Sequence, residues 1–149
     1  MRIAISTEST ADLTKELIKE YDFKIIPYIV QLGDESGLDG EITTEQIISF
    51  VNEKKILPKT AAINEYRFTE HFTEILKDYD AVIHFSLSSE LSVACSNAKH
   101  AAENFENVYI VDSRSLSTGI ALLAIYAKKL VDEGKSAQEV YDMALKRVP

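Results

Sequence analysis

The sequence predicts an α/β domain, a mainly parallel sheet with helices on both faces. Three observations carry this. Short apolar runs alternate with helix-period stretches along the whole chain, the pattern of strands joined by crossover helices. Polar, hydroxyl-rich turns follow several of the apolar runs. The chain has 149 residues, 46% hydrophobic and 27% charged, which suits one domain with a proper core.

In chain order, Arg2–Ser6 reads as a short buried strand, with Thr7–Asp12 as a polar turn at its end. Thr10 or Asp12 caps a helix to about Tyr21, with Leu13, Leu17 and Ile18 on one face. Lys24–Leu32, rich in Ile, Val and Tyr, is a second strand with Pro27 near its start. Gly33–Glu41 holds three of the five glycines and four acids and reads as a loop. Thr43 and Gln46 form a capping box ahead of a helix through Ile47, Ile48 and Val51.

Leu57–Ala62 is an extended connection, because the residue before Pro58 avoids the helical region. Asn64 caps the next helix, where Phe68, Phe72, Ile75, Leu76 and Tyr79 make one apolar stripe. Ala81–Ser86 is the third strand. A helix from Leu91 to Phe105 follows, with small residues at Ala94, Ala98, Ala101 and Ala102 for close packing on the sheet. Asn107–Val111 is the fourth strand, and Asp112–Ser115 a second polar turn. Leu116–Asp132 is a long apolar helix stopped by Gly134. Ser136 and Glu139 form another capping box for a helix to Lys146.

The stretch Ser86–Ala98 draws attention. Four serines, at positions 86, 88, 89 and 92, stand between an apolar run and a helix-like one. Open α/β sheets bind ligands at the carboxyl ends of their strands. Ser88 or Ser89 as a helix cap, together with free N–H groups at the helix start, suits an anion. A helix-capping role alone explains the serines equally well.

Other chemistry is excluded or weak. The net charge of −8 without a basic cluster argues against nucleic acid and anionic membranes. One cysteine, Cys95, rules out an intrachain disulfide and reads as a small core residue. No GxSxG elbow, glycine-rich phosphate loop or metal-ligand spacing occurs, so no cofactor and no metal are expected. His71 and His100 read as surface residues and His84 as a satisfied core histidine. The N-terminus lacks the form of a signal peptide and no stretch approaches a membrane span, so a cytoplasmic protein is expected.

Five ordered segments resemble the DegV family of bacterial fatty-acid-binding proteins. They are Ile5–Leu13, similar to the family's TDSTADL; Ile25-Ile26-Pro27 with the loop through Asp39; Pro58–Ala61, at the place of P-x-T-S; Ser88–Ser92, similar to SSxLSGTY; and Val111-Asp112-Ser113 with Gly119 following. The resemblance implies the first of that family's two α/β domains, residues 1–149, the second being absent from this chain. It implies a bound long-chain fatty acid such as palmitate, its carboxylate held by Thr60 and Ser92 at the Ser88–Ser92 turn. Ser88, Ser89, Ser9, Asp112 and Ser113 are secondary candidates. It also implies a non-catalytic role, as carrier or presenting partner of an ATP-dependent fatty-acid kinase.

The chain departs from the family pattern at Val93, Ala94 and Cys95, where the family has Gly, Thr and Tyr, at Ala61 in place of serine, and at Glu8 in place of aspartate. A branched side chain at Val93 is expected to crowd the ligand's approach. Two other readings compete. One is a phosphotransfer-type enzyme domain using His84 or a serine. The other is an interaction module that presents the acidic loop with Asp34, Glu35, Asp39 and Glu41.

Overall fold

A computed structural model describes all residues, Met1–Pro149. Its organising layer is a four-stranded parallel sheet in the order β2-β1-β6-β7. The strands are β1 (Ile3–Glu8), β2 (Lys24–Ile26), β6 (Ala81–Ser86) and β7 (Val108–Asp112). Every residue of β1 and β6 is buried, so both faces of the sheet are covered. Helices α3 (Glu65–Ile75) and α4 (Ala94–Ala102) pack together on the face bearing Ser6 and His84. Helices α5 (Thr118–Asp132) and α6 (Ala137–Leu145) cover the other. One continuous core of 30 buried residues results, which makes the parallel sheet and its helices a single packing unit.

The apolar stripe of α3 behaves as its spacing predicts. Phe68 and Phe72 are fully buried, with their rings 5.8 Å apart and each edge-on to the His84 ring. Ala94, Ala98 and Ala101 of α4 have no exposed surface, and Cys95 is buried beside them. Both capping boxes form, at Thr43–Gln46 and Ser136–Glu139, and Asn64 Oδ1 accepts from the Arg67 N–H.

A second, smaller sheet stands beside the first. It is antiparallel, in the order β4-β3-β5, with β3 (Ile29–Leu32), β4 (Glu35–Leu38) and β5 (Lys59–Ala61). Helix α2 (Thr44–Lys54) connects β4 to β5 and buries no residue completely.

Four details of the sequence reading change. Lys24–Leu32 is not one strand: Pro27 divides it into β2 and β3, which belong to different sheets. Gly33–Glu41 is not simply a loop. Gly33, at φ 66°, and Asp34 form a two-residue turn, and Glu35–Leu38 pairs back on β3. After β1 the chain makes a 3₁₀ turn at Ser9–Ala11, and Asp12 takes a left-handed conformation (φ 51°). The cap of α1 (Lys15–Tyr21) is therefore Thr14, whose hydroxyl accepts from the Leu17 N–H. Helix α4 starts only at Ala94, because a turn through Ser88–Val93 intervenes.

Candidate ligand-binding groove

The strand order places a site before any side chain is considered. From β1 the chain steps outward to β2, and from β6 it steps the opposite way to β7. The loops after β1 and β6 thus diverge, and the crevice between them is the topological switch point where such sheets bind ligands. A groove of about 310 Å³ opens there. Thr10 of the first turn and Leu87 after β6 line one side, and Val30 and Thr60 of the small sheet, Tyr28 and Pro58 just ahead of β3 and β5, and Ile47 of α2 line the rest. Its walls are apolar except for the hydroxyls and Asp39. The volume is at the low end for ligand sites, and the groove is open to solvent. Another hollow, about 280 Å³, lies between α5 and Arg147–Pro149 and includes Ser115 but none of the candidate residues.

Thr60 lines the groove from the exposed strand β5. Ser92 does not line the groove; it stands behind Tyr28, whose phenol oxygen is 3.0 Å from Ser92 Oγ. Ser92 Oγ also accepts from the Ala94 N–H at 3.1 Å, and Val93, the helix N-cap residue, supplies no side-chain cap of its own. The capping role expected of Ser88 or Ser89 is therefore corrected. Ser88 Oγ accepts from Glu90 N–H inside the turn, and Ser89 contributes its N–H to Asp112.

The secondary candidates bond mainly to backbone groups of the neighbouring turns and of Tyr28. Asp112 Oδ1 accepts from the N–H groups of Ser89 and Arg114, at 3.2 and 3.1 Å, tying the two polar turns together, and Arg114 reaches Glu90 across the same gap. Those bonds hold the Asp112 carboxyl below the usual range, against the opposing effect of its partial burial, which is the largest single influence. Ser113 is fully buried, and its Oγ accepts from the Ser115 N–H. Ser9 Oγ accepts from the Tyr28 N–H at 3.1 Å, so it fixes the groove wall. Gly119 makes room for this turn, since a Cβ there would lie 1.8 Å from Ser115 Oγ.

Val93 does not crowd the groove. Its φ is −76°, so the backbone needs no glycine, and its side chain is 64% exposed and outside the lining. Ala94 and Cys95 are buried in the core of α4 and likewise leave the groove unobstructed. Burial pushes the Cys95 thiol up, so it is a poor nucleophile.

A buried polar chain runs beneath the mouth, and the sequence reading missed most of it. Glu8 is fully buried; its Oε1 accepts from Ser86 Oγ at 2.5 Å, and its Oε2 from Leu87 N–H at 2.9 Å and Thr10 Oγ1 at 3.3 Å. His84 Nε2 lies 3.5 Å from Glu8 Oε1, and His84 Nδ1 lies 2.9 Å from Ser6 Oγ. Ser6 Oγ is in turn 2.8 Å from His71 Nε2. With neutral imidazoles, the assignment that sets no two acceptors face to face has His71 donating to Ser6, Ser6 to His84, and His84 to Glu8. His84 is thus the satisfied core histidine that was expected. His71 is half-buried rather than a plain surface residue: it closes the chain from α3, and burial, reinforced by His84 and Arg67, pushes its pKa down to about 3. His100 is exposed, as expected. Glu8 and the hydroxyls of Ser6 and Ser86 give the α3 side of the sheet a polar centre in an otherwise apolar layer.

A doubly covered parallel sheet with a hydroxyl-edged apolar groove at its switch point is the architecture in which open α/β domains place their ligand sites. The chain belongs to the DegV family: the family model described as "Uncharacterised protein, DegV family" matches residues 2–148. A DegV domain-containing protein of Clostridium perfringens is 32% identical over 142 residues, 93% of this chain and 51% of the relative. A DegV family protein from Thermus thermophilus, described for its fatty-acid binding, superposes with a TM-score of 0.91 at 30% identity, covering 99% of this chain and 53% of that one. DegV of Bacillus subtilis, described as a fatty acid binding protein, gives 0.88 at 27% identity, with 98% and 53% covered. The chain spans about half the length of these relatives. No helix is long and apolar enough to cross a membrane, and no group of three or more His, Cys, Asp or Glu is arranged to hold a metal.

Proposed function

We propose that this chain binds a long-chain fatty acid with its carboxylate at Ser92 and Thr60 and its tail along the apolar groove. The observation that carries this is the groove itself: an apolar channel at the switch point whose hydroxyls come from both Thr60 and, through Tyr28, the serine turn. A carboxylate taken from water needs hydrogen-bond donors. Hydroxyls and the N–H groups at the start of α4 beyond that of Ala94, which Ser92 already takes, supply them without a formal positive charge, which leaves the head group able to react later. The tail supplies the driving force, about 0.8 kcal/mol per buried methylene, or on the order of 10 kcal/mol for a palmitate tail before the costs of association. A groove this open covers only part of such a tail. The half of the relatives' length that this chain does not span is the natural source of the remaining cover, and residues 1–149 then correspond to the first of two domains.

In this reading the protein is a carrier that presents the acid to an ATP-dependent kinase and performs no phosphoryl transfer itself. The similar solved structures described as fatty-acid binding support the ligand class.

The test is denaturing extraction followed by lipid mass spectrometry, combined with calorimetric titration of palmitate. Ser92→Ala and Thr60→Val are each expected to weaken binding by roughly tenfold, the worth of one hydrogen bond to a charged group. A folded wild-type chain that takes up no palmitate, or a Ser92→Ala variant that binds as tightly as wild type, would sink this assignment.

A further inference from the structure

We propose that Tyr28 and Ser92 form a hydroxyl pair, held by Tyr28, that leaves one O–H free to donate to an anionic head group, so that the site selects carboxylates over neutral lipids of the same length. This rests on the fatty-acid reading above and adds to it the origin of head-group selectivity.

Tyr28 is anchored at three points. Its N–H donates to Ser9 Oγ at 3.1 Å, its carbonyl accepts from the Asp39 N–H at 2.9 Å, and its phenol oxygen sits 3.0 Å from Ser92 Oγ. The residue is only 6% exposed, so the phenol has little freedom to seek water instead. A buried tyrosine hydroxyl takes a partner where it finds one, and here the partner is the candidate ligand-binding serine.

The hydroxyl count then fixes what the pair offers. A serine oxygen has two lone pairs and one proton. The Ala94 N–H occupies one lone pair of Ser92. If Tyr28 donates into the other, the only capacity left on Ser92 is its proton. If Ser92 donates to Tyr28 instead, the phenol proton is the one left over. In both arrangements the pair presents an unshared O–H beside the groove. Burial pushes the Tyr28 pKa up to about 12, with Ser92 pulling the other way and Glu8 adding to the rise, so the phenol keeps its proton throughout the physiological range. An O–H aimed at a carboxylate forms a charge-assisted bond, about twice as strong as a neutral one. A primary alcohol is a weaker acceptor and brings a proton for which this pair has less to offer.

The experiment titrates palmitate and hexadecanol into the full chain by calorimetry, for wild type, Tyr28→Phe, Ser92→Ala and the double variant. Wild type is expected to prefer palmitate. Tyr28→Phe is expected to lower the palmitate-to-hexadecanol affinity ratio by roughly tenfold, chiefly through palmitate. On the Ser92→Ala background it is expected to change the ratio no further, because the two hydroxyls act as one unit. Phe keeps the ring that packs in the wall, and the Ser92→Ala arm reads the same coupling from the other partner. An unchanged ratio in Tyr28→Phe, or additive effects in the double variant, overturns the role of Tyr28 while leaving the fatty-acid reading intact. Wild type that binds neither ligand overturns both.

Discussion

The two sheets of this domain are built to different standards. Strands β1 and β6 are buried along their whole length, between two helix layers. Strands β4 and β5 are mostly exposed, and α2 beside them has no fully buried residue. The groove lies on the seam, so one wall belongs to the cooperative core and the other to a thin antiparallel ribbon. Local stability follows buried apolar contact. Tyr28 and Val30 are buried, so within that wall the exposed strand β5 with Thr60 is the part the proposed ligand is expected to stiffen most.

The largest expected effect tests the strong side. Phe72→Ala removes a fully buried ring that touches Phe68, His84 and Phe105, and is expected to cost about 3–5 kcal/mol in chemical denaturation. A loss below about 1 kcal/mol would break the contrast between the sheets.

The next effect is pH-dependent and also belongs to the core. The folded-state pKa of His71 is lowered to about 3 from 6.5. The unfolded chain therefore binds the extra proton first. The stability that depends on a neutral His71 is fully present above pH 6.5 and is lost as the pH falls toward 3, by at most about 3 kcal/mol at pH 4. His71→Gln is expected to flatten that part of the stability–pH curve; an unaltered slope would show that the acid sensitivity arises elsewhere.

The smallest effect sharpens the comparison from the weak side. Ile48 of α2 is 55% exposed, and Ile48→Ala is expected to cost under about 1 kcal/mol. Hydrogen exchange in the same samples should show β4 and β5 opening far faster than β1 and β6, with palmitate slowing exchange in the small sheet most. Uniform protection across both sheets would remove the seam as an explanation of the groove.

Legibility in the sequence followed the same division. The central strands of the parallel sheet were legible as short, mostly apolar runs, as in Ala81–Phe85, although β1 runs two residues past the Ser6 end that was read and β2 was merged with β3. Asn64, Thr43 and Ser136 read correctly as caps because side-chain capping is a local interaction. The hairpin was lost because Glu35-Ser36-Gly37 has no strand-forming side chains and is held by pairing with β3. Gly33-Asp34 between Leu32 and Glu35 was its one local signal. Thr60 and Ser92 came from the family resemblance, and the structure adds Tyr28, which lines the groove with Thr60 and hydrogen-bonds to Ser92. Tyr28 was hidden in an apolar run, where a phenol and a phenyl ring look alike until the hydroxyl's partner is known. Glu8 and His71 were missed for a related reason: a satisfied buried polar group has no periodicity of its own and becomes evident only when three separate elements, β1, α3 and β6, meet.

Thr60 stands on β5, the outer strand of its sheet, three residues long and paired on one side only. A strand in that position is a template on which another copy can stack, and proteins blunt such edges with short length, proline and lysine. Pro58, Lys59 and the three-residue span supply all three here. The shortness of the strand that presents the hydroxyl is then a solubility device as much as a binding one: lengthening β5 to firm up the groove would build the edge along which molecules of this protein adhere to one another.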